Sequence, residues 1–203
     1  MSILVSRKAP NFSTAAVMPD GSIEANYQFY DKTKAKYTLL FFYPLDFTFV
    51  CPTELVALDR NIQAFKQRGV EVLTVSIDSQ FTHAAWRNTP ISKGGIGPVN
   101  FTMLADTSHE ICRIYGVEHF EENIAFRATF LIDQNKVVRS QLVNDLPIGR
   151  NISEMLRTVD SLQHFEQHGE VCPMDWQKGS NAMQPNADGV ASWLSEKYTE
   201  EAC

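Results

Sequence analysis

Four cysteines, Cys51, Cys112, Cys172 and Cys203, are the side chains in this sequence with the most chemistry to offer. No two are close enough to form a Cys-x-x-Cys redox pair or the paired ligands of a structural zinc site, so each is judged by its surroundings. Cys51 has the most telling ones. It follows a continuous apolar and aromatic run, Leu39-Leu40-Phe41-Phe42-Tyr43, that reads as a strand buried on both faces and halted by Pro44. It precedes Pro52 and a helical pattern, Leu55, Leu58, Ile62 and Phe65, that ends at Gly69. A cysteine where a strand passes through a loop into the first turn of a helix meets unpaired N–H groups and the positive end of the dipole, which favour thiolate over thiol. A helix terminus supplies only about 0.3 to 1 kcal/mol, whereas a cysteine kept as an anion near neutral pH needs roughly 3 kcal/mol, so a positive partner is required. Thr48 can place its hydroxyl beside the sulfur, and Pro44 and Pro52 stiffen the loop.

The other candidates are weaker. Cys112, between Ile111 and Ile114, reads as a packing residue on a short helix, and Cys203 as an exposed terminal thiol. Cys172 sits in a Gly-flanked, weakly apolar stretch where a packing role is poor. His164 and His168 fall at i and i+4 without a further ligand and read as solvated, so no metal is expected. Gly94-Gly95-Ile96-Gly97 is too short and wrongly placed for a nucleotide loop, so no cofactor is expected.

The elements that must position Cys51 are those of an α/β protein. Val70 to Ile77 reads as a second strand, closing a strand–helix–strand unit of the parallel kind. A short strand (Phe101 to Ala105), a short helix (His109 to Tyr115) and a hairpin follow, Ala128 to Asp133 and Lys136 to Val143 turning at Gln134-Asn135. Asn151 and Glu154 bracket the start of a last core helix whose Leu156, Val159, Leu162 and Phe165 share a face before Gly169. We expect one domain over residues 1–169 and a tail over 170–203 that packs on something else, with Val190 to Tyr198 able to form a helix.

Over 203 residues the net charge is −6, which gives nucleic acid or an anionic membrane no electrostatic reason to bind. The run Ile3-Leu4-Val5 is far too short for a secretory signal and nothing approaches a membrane span, so a cytoplasmic protein without membrane association is expected.

The spacing of Pro44, Thr48 and Cys51 resembles the P-x-x-x-T/S-x-x-C signature of the peroxiredoxins. Phe42-Tyr43-Pro44-Leu45-Asp46-Phe47-Thr48-Phe49-Val50-Cys51-Pro52-Thr53-Glu54 is similar to the typical two-cysteine subgroup, the alkyl hydroperoxide reductase C and thioredoxin peroxidase kind. The likeness continues through Trp86, Gly94-Gly95-Ile96-Gly97, Phe126-Arg127-Ala128-Thr129-Phe130-Leu131-Ile132-Asp133 and Val171-Cys172-Pro173. It implies a thioredoxin-like fold, a central mixed sheet flanked by helices with a C-terminal tail. It also implies the missing cation: the arginine that the family holds against its peroxidatic sulfur corresponds to Arg127, which by itself would read as a surface residue in a strand. Glu54 corresponds to a glutamate that holds the arginine, and Cys172 to the resolving cysteine on the partner subunit's tail. Ser192-Trp193-Leu194-Ser195 stands where peroxide-sensitive members carry a Tyr-Phe pair, with Leu194 in place of phenylalanine.

The function implied is a thiol-dependent peroxidase acting on hydrogen peroxide and organic hydroperoxides, with Cys51 sulfenic acid and then a Cys51–Cys172 disulfide between subunits as intermediates. A homodimer assembling into a decameric ring, and a thioredoxin-like or flavoprotein reductant, go with that resemblance. A holdase-type chaperone or redox signalling hub on the same fold is the rival; it differs in suppressing client aggregation rather than consuming peroxide.

Overall fold

The computed structural model describes residues 3–198. The chain divides into two compact units, residues 1–152 and 153–203.

The first unit is built on a seven-stranded mixed sheet. In chain order it contains β1 (Ser13–Val17), β2 (Ile23–Gln28), α1 (Phe29–Lys32), β3 (Tyr37–Phe42), α2 (Cys51–Arg60), α3 (Ile62–Gln67) and β4 (Val70–Ser76). It continues with α4 (Gln80–Asn88), a 3-10 turn (Ile91–Lys93), β5 (Thr102–Ala105), α5 (Glu110–Ile114), β6 (Arg127–Ile132) and β7 (Val138–Asn144). The strand order is β2-β1-β5-β4-β3-β6-β7, with β3, β4 and β5 parallel to one another and the other pairings antiparallel. This is the mixed thioredoxin-like sheet that the resemblance implies.

β3 and β4 are central, which explains their unbroken apolar runs: Leu40 and Phe42 join one core cluster, while Leu39 and Phe41 point to the opposite face and are buried as deeply. The helix expected to run from Pro52 to Gly69 is instead two. It breaks at Asn61, whose side-chain amide donates to the Ala57 carbonyl at 2.8 Å and ends α2. The β6–β7 hairpin turns over Asp133 to Lys136, where Lys136 takes a left-handed backbone with φ 63°.

The second unit holds α6 (Ile152–His168) from its second residue onward and α7 (Ala187–Tyr198), with a bridge between Val171 and Met183. Trp176 anchors the segment after α6: it is 3% exposed, its Nε1 donates to the Ser180 carbonyl, and Arg157 donates to its carbonyl. The expected face of α6 is only partly right, because Met155 and Val159 are buried whereas Phe165 is half exposed. α7 begins before the expected Val190. No helix among the described residues is long and apolar enough to cross a membrane.

Candidate active site

β3 delivers the chain through buried Tyr43 and Pro44 into loop 44–50, and α2 starts at Cys51. Pro52 fits the first turn because the N–H it lacks would have no partner within the helix. Val50 supplies the first helical carbonyl, accepting from the N–H groups of Thr53 and Glu54. Cys51 is therefore a buried sulfur at a helix N-terminus, at 0% exposure.

Arg127 reaches it through strand register. β6 runs antiparallel to β3 with Phe41 opposite Thr129, so two further residues along that register bring Arg127 level with Tyr43, at the mouth of the loop. Its Nη1 donates to Cys51 Sγ at 3.4 Å and to Glu54 Oε2 at 2.9 Å, and its Nε donates to the Leu146 carbonyl. Glu54, one turn into α2, is held from the other side by Arg150, which sequence reasoning did not single out. Arg150 meets the carboxylate in a fork, Nε to Oε1 and Nη2 to Oε2, both at 2.9 Å, and adds its backbone N–H to Oε1. Its Nη1 donates to the Ala128 carbonyl and to Thr129 Oγ1, and its guanidinium carbon lies 3.3 Å from the Phe41 ring centroid.

Two buried guanidinium groups thus share one carboxylate, leaving one positive charge in excess beside the Cys51 sulfur. At this separation and an effective dielectric near 20, the attraction between Arg127 and a thiolate is on the order of 4 kcal/mol before desolvation, more than the helix terminus provides. Burial by itself raises the Glu54 carboxyl, but the hydrogen bonds and charges of Arg150 and Arg127 outweigh it and hold the group below its usual range.

Thr48 lies in the same loop, and its hydroxyl donates to the Leu45 carbonyl at 2.9 Å. That commits its hydrogen and leaves its lone pairs as acceptors, so it does not donate to the sulfur in this conformation. Phe47 has φ 52°, a left-handed backbone that a bulky residue holds only at a cost of roughly 1–3 kcal/mol, and its ring sits 5.8 Å from that of Trp86. Trp86 is fully buried, and its Nε1 donates to the Gly94 carbonyl. Gly95 is fixed by crowding: a Cβ there would lie 1.9 Å from the Thr89 carbonyl oxygen.

Of the remaining thiols, Cys112 is buried, and desolvation drives it far above the ordinary cysteine range. Cys172 is half-buried in the second unit, with its S–H donating to the Ser161 carbonyl at 3.6 Å, and burial again pushes the thiol upward. Cys203 lies outside the described residues. His164 is not simply solvated: its Nε2 lies 2.9 Å from Glu170 and its ring meets that of Trp176 at a tilt, centroids 5.0 Å apart. Trp193 keeps an aromatic neighbour despite Leu194, because Tyr198 meets it edge-on at 5.9 Å.

Comparison with known proteins agrees with this geometry over nearly the whole chain. The AhpC/TSA family pattern matches residues 5–141, and the pattern for the C-terminal domain of 1-Cys peroxiredoxin matches 161–199. Alkyl hydroperoxide reductase C of Helicobacter pylori is 49% identical over 194 residues, 96% of this chain and 98% of that protein. Peroxiredoxin-2 of Macaca fascicularis is 46% identical over 192 residues, 95% and 96% of the two chains. The crystal structure of reduced 2-Cys peroxiredoxin from Plasmodium vivax superimposes with a TM-score of 0.90 at 46% identity, covering 96% of this chain and 100% of that one. A match of this extent, taking in both the strand–loop–helix unit around Cys51 and the segment around Cys172, means that the chain belongs to the AhpC/TSA family of peroxiredoxins.

Proposed function

We propose that the chain is a thiol-dependent peroxidase that reduces hydrogen peroxide and organic hydroperoxides, with Cys51 as the attacking sulfur. The observation that carries this reading is the Cys51 sulfur 3.4 Å from Arg127, in a buried cluster whose second arginine leaves a positive charge for it to balance. The thiolate attacks the nearer peroxide oxygen; the O–O bond breaks and its electron pair leaves on the distal oxygen, which takes up a proton as water or alcohol. Arg127 and the positive end of the α2 dipole offset the charge spread over sulfur and oxygens, and Thr48 accepts from a peroxide O–H. Pro44 and Glu54 hold this geometry, one stiffening the loop and the other the arginines.

Cys51 is left as a sulfenic acid. Cys172 of a neighbouring subunit then condenses with it, losing water and forming a disulfide. Since Cys51 is buried and disulfide geometry is strict, the first turn of α2 must unwind for that bond to form. A two-electron reductant, a thioredoxin-like or flavoprotein disulfide reductase, restores both thiols. Residues 1–169 carry the peroxide chemistry and 170–203 the resolving cysteine. The subunits associate as a homo-oligomer. The edge strand β7 favours a dimer: beyond Val138, which bonds to Ser6 and Arg7, Arg139 to Asn144 form a sheet edge with neither Pro nor Lys to block pairing. Dimers closing into a decameric ring in the cytoplasm complete this reading.

The test is peroxide consumption with a small dithiol as reductant, comparing the parent chain with Cys51→Ser. Loss of turnover in the variant is the expected result, because a serine hydroxyl supplies almost no anion near neutral pH. Turnover that survives would assign the chemistry to another group.

A further inference from the structure

Between Tyr43 and Cys51 the chain has neither helix nor strand, yet it carries Thr48 and ends on the reacting sulfur. Asp46 ties this stretch to the sheet. Its Oδ1 accepts from the Tyr43 hydroxyl at 2.6 Å, and its Oδ2 lies 2.8 Å from His83 Nδ1. Its backbone N–H donates at 2.9 Å to Asp78 Oδ2, which also accepts from the Ser76 hydroxyl. His83, on α4, has no exposed surface, and its Nε2 lies 3.2 Å from the Leu104 carbonyl of β5. Strand β5, helix α4 and the end of β3 therefore converge on one loop carboxylate.

Donor and acceptor counting fixes the character of the pair. A carbonyl only accepts, so His83 Nε2 carries a hydrogen; the contact between Nδ1 and Oδ2 then needs one further proton, held by either group. Both placements leave the pair without net charge, which is how two ionisable side chains tolerate a buried site. Burial raises the Asp46 carboxyl, against the opposing pull of His83. Apolar side chains could fill the same volume. What a satisfied polar network adds is a single geometry, since any shift of the loop strands a buried donor or acceptor.

We propose that Asp46, His83 and Tyr43 are positioning residues for the peroxide reaction: they fix loop 44–50 so that Thr48 and the Cys51 sulfur hold the peroxide oxygens in line for displacement, without touching peroxide themselves. The proposal deepens the reading of Cys51 as attacking sulfur and rests on it. Misplacement by about 1 Å costs an in-line reaction up to roughly 100-fold, whereas alkylation depends on the sulfur anion and on access to it and needs no second contact to the loop.

The test uses the full chain with two near-isosteric changes, Asp46→Asn and Tyr43→Phe. Two rates are followed: oxidation of Cys51 by hydrogen peroxide in a single turnover, and alkylation of Cys51 by iodoacetamide, read by mass spectrometry. A role in positioning lowers the peroxide rate at least about ten-fold in Asp46→Asn and several-fold in Tyr43→Phe, with alkylation within about two-fold of the parent. Unchanged peroxide rates, or peroxide and alkylation rates falling by the same factor, would overturn it. If Asp46→Asn does not fold, Tyr43→Phe, which loses one hydroxyl, decides alone. A Cys51→Ser control that still reacts with peroxide would instead overturn the underlying assignment of the sulfur.

Discussion

Arg127 and Arg150 grip Glu54 from two sides, and the charges within a few ångströms of Cys51 decide what that sulfur does. Replacing Arg127 by methionine keeps much of the volume and removes the charge, and we expect oxidation of Cys51 by peroxide to slow by about 100-fold, as when a single charge-stabilising donor is lost. Stopped-flow fluorescence with hydrogen peroxide measures it, and a rate within two-fold of the parent would remove Arg127 from the reaction. Glu54→Gln bears on stability as well. Because the folded carboxyl sits below its ordinary value of 4.5, its stabilisation is fully present above that value and is lost as pH falls through the folded one. Urea unfolding near neutral pH should therefore show a loss on the order of 3 kcal/mol in Glu54→Gln, narrowing in acid. In Cys172→Ser the first oxidation should stay fast while recycling through the disulfide stops; recycling that persists would point to a different resolving thiol. The sequence revealed these residues unequally. Cys51 and Thr48 were legible from a strand, a proline and a helix start, but Arg127 only through family resemblance, and Arg150 not at all. A single arginine after Ile148-Gly149 has no periodicity, and only the fold brings it to Glu54.

At the scale of elements, the β3–α2–β4 unit was readable because both its strands are central and apolar throughout. β1 and β2 were missed: Ser13-Thr14-Ala15-Ala16-Val17 and Ile23-Glu24-Ala25-Asn26-Tyr27-Gln28 lie toward one edge, where polar side chains are tolerated and the alternation is blurred. α4 was missed because His83 and Arg87 are buried on its inner face as polar anchors, which a search for apolar periodicity passes over. Arg87 donates to the carbonyls of Met18, Pro19 and Val99, tying α4 to the β1–β2 turn. The loop after α4 is equally committed, since Trp86 bonds to Gly94 and Gly95 leaves no room for a Cβ. Gly95→Ala should cost roughly 2 kcal/mol, a fall of about 4–8 °C in Tm for a chain of this size. Thermal unfolding followed by circular dichroism checks this, and an unchanged Tm would mean that the loop relaxes without penalty.

For the whole molecule, the position of β7 at the end of the sheet leads to the expectation that function belongs to an assembly. Leu142 is 41% exposed on that edge, and Leu142→Asp puts a charge where a second strand would pair. Sedimentation of this variant should show dimerisation weakened at least about ten-fold, equivalent to 1.4 kcal/mol; an unchanged association constant would place the interface elsewhere. The central claim, that Cys51 is the sulfur that meets peroxide, is tested most directly by treating the reduced protein with one equivalent of hydrogen peroxide and mapping the oxidised cysteines by mass spectrometry after a non-reducing gel. The expected result is a covalent dimer whose linked peptides contain Cys51 and Cys172 from different chains. Cys51 recovered as a free thiol, with the oxidation on Cys112 or Cys203, would contradict it.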